Sequence, residues 1–317
     1  MSNNPKVSIV VPAYNVEKYI KKSLLSIINQ TFNDYELIII NDGSTDNTKD
    51  IIKDFLKDKA INWKLINKEN GGVSSARNKG IVESRGKKIL FLDPDDIIAP
   101  NFIEVLYNNS IMHNANISIC GYKFIKDLDE KKFDSKNQVQ LFYRDEMLKH
   151  FLYRDISFLV VTMLIDKSVL IENNIIFDEK IHFSEDQIFM WDIISNSNKV
   201  VYTNDQLYGY YLRENSTMTS SSNEKILNSY PLVAERLVKL KDNGEEFKYA
   251  LPRWKIGALY TSARIMNFND FLTVEEKMCG KSIFKELKGF KDIKALILSC
   301  VLKISKKLFY VIVRKVN

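Results

Sequence analysis

Val7-Ser8-Ile9-Val10-Val11-Pro12-Ala13-Tyr14-Asn15 decides the fold. An apolar run this short, ended by proline, predicts a strand buried on both faces. From Val16 to Phe32 the period changes, with Ile20, Leu24, Ile27 and Ile28 at helical spacing. The same alternation then repeats. Leu37-Ile38-Ile39-Ile40 is a second buried strand, stopped by Asn41-Asp42-Gly43-Ser44, and Thr45 or Asp46 can cap a helix carrying Ile51, Ile52, Phe55 and Leu56. A third strand near Trp63 to Ile66 passes through Asn70-Gly71-Gly72 into a helix around Ser74 to Glu83. A fourth, Ile89-Leu90-Phe91-Leu92, runs into Asp93-Pro94-Asp95-Asp96 and a helix from about Asn101. Doubly apolar strands alternating with helices predict an α/β fold with a mostly parallel sheet covered on both sides.

Beyond about residue 125 the pattern mixes. Gln138 to Tyr143 and Lys199 to Leu212 read as antiparallel strands among helices, and from Asn223 onward the period is helical. The polar break Ser220-Ser221-Ser222-Asn223 divides an α/β domain, 1–222, from a helical region, 223–291, and a basic tail, 292–317.

With 317 residues, 45% hydrophobic and 27% charged, the chain is large and apolar enough for a full core, which excludes disorder and fibrous classes. No apolar run reaches the roughly 18 residues of a spanning helix, and Met1-Ser2-Asn3-Asn4-Pro5 lacks the features of a secretory signal, so the expectation is a cytoplasmic chain. Cys120, Cys279 and Cys300 share no metal-ligand spacing and read as buried thiols; His113, His150 and His182 are too dispersed for a zinc site. Residues 281–317 hold ten Lys/Arg against two acids, leaving 36 bases and 38 acids before them. Basicity is thus a property of the tail, and nucleic acid is not an expected partner of the body.

Gly80 to Lys88 imitates a P-loop but is one residue too long and lacks its Ser/Thr; no G-x-G-x-x-G follows the first strand. The chemistry lies instead at the strand ends, where parallel sheets bind ligands. Each polar cluster there could be ordinary turn chemistry. The acidic one is harder to explain so. Asp93 and Asp95, two apart at a strand end, can point to one side, where their repulsion calls for a cation. An all-oxygen donor set favours Mg²⁺ or Mn²⁺ completed by substrate phosphates. Asp96 is expected to cap the next helix.

The ordered set Val-Ser-Ile-Val-Val-Pro-Ala-Tyr-Asn, Asn-Asp-Gly-Ser-Thr-Asp, Gly-Gly-Val-Ser-Ser-Ala-Arg-Asn-Lys-Gly and Phe-Leu-Asp-Pro-Asp-Asp resembles the nucleotide-sugar-binding half of glycosyltransferase family 2, of GT-A (Rossmann-like) fold. The resemblance covers residues 6 to about 100. It implies that Pro12, Tyr14, Asn15 and Glu17 lie around the nucleoside, that Asp42 accepts a hydrogen bond from the base, that Arg77 lies beside the nucleotide, and that Asp93 and Asp95 hold ribose and metal. It further implies Asp186 as general base and Glu185 as its neighbour, in His182-Phe183-Ser184-Glu185-Asp186-Gln187, and Arg213 with Ser216 on the diphosphate. Ser184 and Gln187 also have the spacing of a capping box, a helix start that keeps Asp186 ionised and so fit to act as a base. Arg253-Trp254 resembles part of the Gln-x-x-Arg-Trp motif of processive synthases, but Ala250 stands at the Gln position.

The expected activity is therefore inverting, metal-dependent transfer of one sugar from a nucleoside diphosphate donor, UDP-linked, to a hydroxyl of a glycan or lipid-linked glycan in bacterial capsule or cell-surface synthesis. The alternatives are a nucleotidyltransferase, which would carry a glycine- and arginine-rich loop where Pro12-Ala13-Tyr14-Asn15 stands, and a non-catalytic sugar-nucleotide or glycan-binding module. Read as one helix, residues 292–316 gather Lys303, Lys306, Lys307 and Arg314 within an arc of about 100°, with Val301, Ile304, Leu308, Val311 and Ile312 on the other side. That pattern predicts peripheral attachment to an anionic membrane at its inner face.

Overall fold

The computed structural model describes residues 4–130, 132–154, 156–212, 223–239, 244–278 and 283–315. Its strands are β1 (Val7–Ala13), β2 (Tyr35–Asp42), β3 (Asn62–Lys68), β4 (Lys88–Phe91), β5 (Ile97–Ile98), β6 (Ile117–Ile125), β7 (Val139–Tyr143), β8 (Met163–Asp166) and β9 (Lys199–Tyr211). Helices α1 (Ile20–Ile28), α2 (Thr48–Leu56), α3 (Gly72–Glu83), α4 (Phe102–Met112), α5 (Arg144–Tyr153), α6 (Lys167–Glu172) and α7 (Glu185–Ser195) lie among them. After these come α8 (Asn223–Lys239), α9 (Ala250–Ile265), α10 (Phe268–Met278), α11 (Ile283–Glu286), α12 (Ile293–Ile304) and α13 (Lys306–Lys315).

The chain forms two compact units. The first, 1–147, 157–179 and 189–213, holds a mixed sheet of order β3-β2-β1-β4-β8-β6-β9-β5, with β7 on β9. β3, β2, β1 and β4 are mutually parallel, β8 runs antiparallel between β4 and β6, and β9 runs parallel to β6. The expectation of antiparallel pairing for 199–212 is corrected in part: β9 is antiparallel to β7 and β5 but parallel to β6. β1 and β2 are buried along their whole length, as their unbroken apolar runs require. Gly80 lets α3 close onto this sheet, since a Cβ there would lie 2.2 Å from Val10 Cγ1.

The second unit comprises 148–156, 180–188 and 214–317. Its core includes Ile226, Val233, Phe247, Leu259, Phe271, Phe309 and Val313. A single tail helix is not what forms. The chain breaks at Ser305 (φ −156°, ψ 117°), because residues 306–315 turn a different face inward: Phe309 stacks on Phe271 and Val313 is buried. Cys120 is buried, which pushes its thiol up, whereas Cys300 is only half-buried; Cys279 lies outside the described residues. Among the described residues, no helix is long and apolar enough to cross a membrane.

Candidate active site

The parallel strands β1 to β4 end at one edge of the sheet, and the loops after β1 and β2 are tied to each other. On β1 the residues paired with β4 are Val7–Val10, so β1 runs on through Pro12 to Ala13 without needing an N–H there for β4. Asn15 then adopts φ 51° and turns the chain toward the loop after β2. Its Oδ1 accepts from Thr45 N at 2.8 Å, its own N–H donates to Ser44 Oγ at 3.2 Å, and Val16 N donates to Thr48 Oγ1 at 2.8 Å. Glu17 Oε2 accepts from the backbone N and Nδ2 of Asn47 at 3.0 and 2.9 Å. Its carboxylate thereby sits at the N-terminus of α2, where negative charge is favoured. Asn15 and Glu17 brace two loops, while Tyr14 is 49% exposed.

Asp42 ends β2 with its carboxylate buried. It accepts from Lys68 Nζ at 2.5 Å, Gly71 N at 3.0 Å and Gly72 N at 2.8 Å. Gly72 has φ 86°, which aims consecutive N–H groups at one anion. A carboxylate has about four acceptor positions, so room remains for one further donor.

The acidic turn after β4 distributes its three carboxyls. Arg77, on α3 and 5% exposed, donates from Nη2 to Asp93 Oδ1 at 2.8 Å, with its guanidinium 5.2 Å from the Phe177 ring centre. Asp96 is buried, accepting from the Tyr208 hydroxyl at 2.5 Å and Tyr211 N at 2.8 Å. Burial, and then the charges of Asp93 and Asp95, push its carboxyl well above the usual range. Burial followed by Asp96 raises the Tyr208 hydroxyl likewise. The expectation that Asp96 caps the next helix is corrected. Asn101 is the N-cap of α4, and Asp96 ties its turn to β9.

Asp93, paired with Arg77, and Asp95 are the other two carboxylates of this turn. Among the described residues no cluster of three or more His, Cys, Asp or Glu forms a complete metal cage. Two carboxylates with oxygen-only chemistry fit Mg²⁺ or Mn²⁺, which keep waters and take substrate phosphates as further ligands.

In the second unit, Glu185 and Asp186 open α7. The capping box is replaced by other bonds: Ser184, at φ 68°, accepts from Trp254 Nε1 at 3.2 Å, and Gln187 N donates to Asp186 Oδ1 at 2.8 Å. His182 N and Phe183 N both donate to Ser229 Oγ, at 3.0 and 3.1 Å. Trp254 stacks on Tyr230 and meets Phe183 edge-on, so it frames the segment that carries Asp186. Arg253 pairs with Asp292 at 2.7 Å. Arg213 and Ser216 lie outside the described residues.

Sequence reasoning does not find Lys68, Asn78 or Tyr208. Asn78 exchanges hydrogen bonds with the Phe177 backbone at 2.8 and 2.9 Å, fixing the ring beneath Arg77. Its place one residue after Arg77 is the only sequence signal for that role. Lys68 and Tyr208 look like ordinary strand residues until the strands are paired.

A parallel α/β half with an acid pair at its strand ends, continued by antiparallel strands, defines the GT-A class of glycosyltransferase folds. The sequence profile of "Glycosyl transferase family 2" matches residues 8–173, and the chain belongs to that family. The glycosyltransferase GlyA of Streptococcus pneumoniae is 28% identical over 298 residues, which is 89% of this chain but 42% of GlyA, so the chain spans less than half of that relative. The poly(ribitol-phosphate) beta-N-acetylglucosaminyltransferase TarP of Staphylococcus aureus is 29% identical over 81% of this chain and 78% of TarP. Among solved structures, S. aureus TarS 1-349 in complex with UDP-GlcNAc matches with TM-score 0.66 at 22% identity, covering 94% of this chain and 91% of TarS 1-349.

Proposed function

We propose that this protein transfers a single sugar from a UDP-sugar to a hydroxyl of a cell-surface glycan or lipid-linked glycan, with inversion and with a divalent cation. The observation that carries the reading is the separation of roles in the acidic turn. Asp96 is withdrawn into the fold, which leaves Asp93, paired to Arg77, and Asp95 for phosphate-bound metal. The names of TarP and of the TarS complex, an N-acetylglucosaminyltransferase and UDP-GlcNAc, support a UDP donor and make UDP-GlcNAc the first to test.

When bound, Mg²⁺ or Mn²⁺ on Asp93 and Asp95 would neutralise the diphosphate and stabilise it as a leaving group. Asp42 orients the base through its remaining acceptor position. Lys68 and the two glycine N–H groups keep its carboxylate fixed while it does so. Arg77 adds positive charge beside the diphosphate, and Tyr14, Pro12, Asn15 and Glu17 form the nucleoside wall. Arg213 and Ser216 act as further diphosphate donors. Asp186 takes the proton of the acceptor hydroxyl as its oxygen bonds to the anomeric carbon. The carbon–oxygen bond to the diphosphate breaks on the opposite face, which gives inversion. Glu185 is the neighbour of Asp186 at the start of α7.

Calorimetry of UDP with and without Mn²⁺ tests the binding half, and mass spectrometry of UDP release tests the chemistry. The release screen covers UDP-GlcNAc, UDP-glucose, UDP-galactose and the GDP and dTDP sugars. Metal-dependent UDP affinity with release from at least one UDP-sugar is expected. UDP binding indifferent to metal would overturn the cation assignment, and release confined to GDP or dTDP sugars would overturn the donor assignment.

A further inference from the structure

Helices α12 and α13 have an inner face that belongs to the core of the second unit. Ala295, Ser299, Leu302, Phe309 and Val313 are buried. Tyr310 and Arg314 each donate to Met266 O at 2.9 Å, and Lys306 pairs with Glu275. The pair is therefore a fixed part of the fold and not a detachable arm.

The outer face is apolar as well. Ile293, Ile297 and Ile304 are 71%, 59% and 73% exposed, and Leu308 and Val311 are also exposed. At 100° per residue the three isoleucines fall within an arc of roughly 40°, opposite Ala295, Ser299 and Leu302. Lys294 and Lys303 stand on either flank of that stripe, roughly 60–80° beyond its edges. On α13 the outward positions are Lys307, Leu308, Val311 and Lys315, all exposed. From Ile293 to Lys315 the sequence holds five lysines, one arginine and no acid.

We infer that this outer face is a docking surface for an anionic lipid leaflet, with the isoleucine stripe entering the headgroup boundary and the flanking lysines reaching lipid phosphates. The charge pattern selects this occupant. A second copy of the same face would set lysines against lysines with no acid to answer them, whereas an anionic leaflet complements both the charge and the apolar stripe. Lysines bordering an exposed apolar stripe are the arrangement of a helix lying in the plane of the interface. This surface needs no nucleotide.

The test is flotation of the full chain with vesicles of phosphatidylcholine alone or with phosphatidylglycerol. Binding should be confined largely to the anionic vesicles and weaken as salt rises from about 0.1 to 0.5 M. The variant Ile293→Ser/Ile297→Ser/Ile304→Ser should lose at least about tenfold in partitioning. The variant Lys294→Glu/Lys307→Glu/Lys315→Glu should lose the preference for anionic lipid. All six positions are exposed, so circular dichroism and melting of both variants should match the parent. The inference is overturned if the parent does not bind anionic vesicles, or if the serine variant binds as well as the parent. It is equally overturned if light scattering shows an oligomer that the serine variant dissolves, since the stripe would then be covered by another copy.

Discussion

Replacing Gly80 with alanine sets two known effects of opposite sign against each other. In the interior of α3, Gly→Ala should stabilise by about 1 kcal/mol through helix propensity alone. The new methyl, however, would lie 2.2 Å from Val10 Cγ1 and 2.9 Å from Val10 Cγ2 on β1. Carbon atoms settle at roughly 3.5–4.0 Å, so helix and strand must part by more than about 1 Å. Overpacking of this kind costs about 1–3 kcal/mol, and so severe a contact belongs at the upper end, leaving a net loss of about 1–2 kcal/mol. Arg77 lies one turn earlier on the same helix and would be drawn from Asp93, now 2.8 Å away. UDP affinity in Mn²⁺ should then fall by about an order of magnitude, the value of one charge-assisted hydrogen bond. Urea denaturation measures the first effect and calorimetry the second. A Gly80→Ala protein as stable as the parent, or more so, would refute the packing argument.

Three further outcomes follow from the acidic turn and from α7. Asp95→Ala should abolish Mn²⁺-dependent UDP binding while Asp93→Ala weakens it, and calorimetry showing metal-dependent affinity retained in the Asp95 variant contradicts the ligand assignment. Asp186→Asn should leave UDP affinity intact and lower turnover on the order of 10²-fold, measured as UDP release with acceptor present; unchanged turnover removes it from the chemistry. Asp96 keeps its proton in the fold to a higher pH than in the unfolded chain, so its favourable contribution is full below about pH 4 and is lost as pH rises through the raised folded value. Asn at this position can accept from Tyr211 N and donate to Tyr208 while remaining neutral. Urea midpoints of Asp96→Asn should therefore lack that decline, and parallel pH profiles for the two proteins would contradict the assignment.

The parallel half of the fold is readable because each strand from β1 to β4 is an apolar run ended by turn residues, and each helix after it shows its own period. The strand-end clusters are readable for the same reason: Asp42 and Asp93 fall where a change of period marks an element's end, whereas Arg77, within α3, enters only through the family resemblance. What the sequence hides depends on pairing between distant strands. Nothing near Asp96 announces Tyr208, and nothing near Asp42 announces Lys68, because each partner is supplied by sheet register. The tail shows the limit of a helical wheel drawn over too long a window. A one-residue break at Ser305 changes the phase of every later side chain, so Leu308 ends up exposed while Phe309 faces the core.

The bond between Asp96 and Tyr208 spans 112 positions, and that to Tyr211 spans 115. Such closures carry a large entropic cost and tend to form late, after the local βα units that precede them. A chain emerging from the ribosome has therefore made its first four parallel strands well before the residues that cover Asp96 exist. During that interval three neighbouring acids share one turn, all of them able to ionise. The arrival of β9 takes one into the interior, where burial raises its pKa, and leaves two outside, so the acid pair is completed by the last strand of the sheet and not by the strand that carries it.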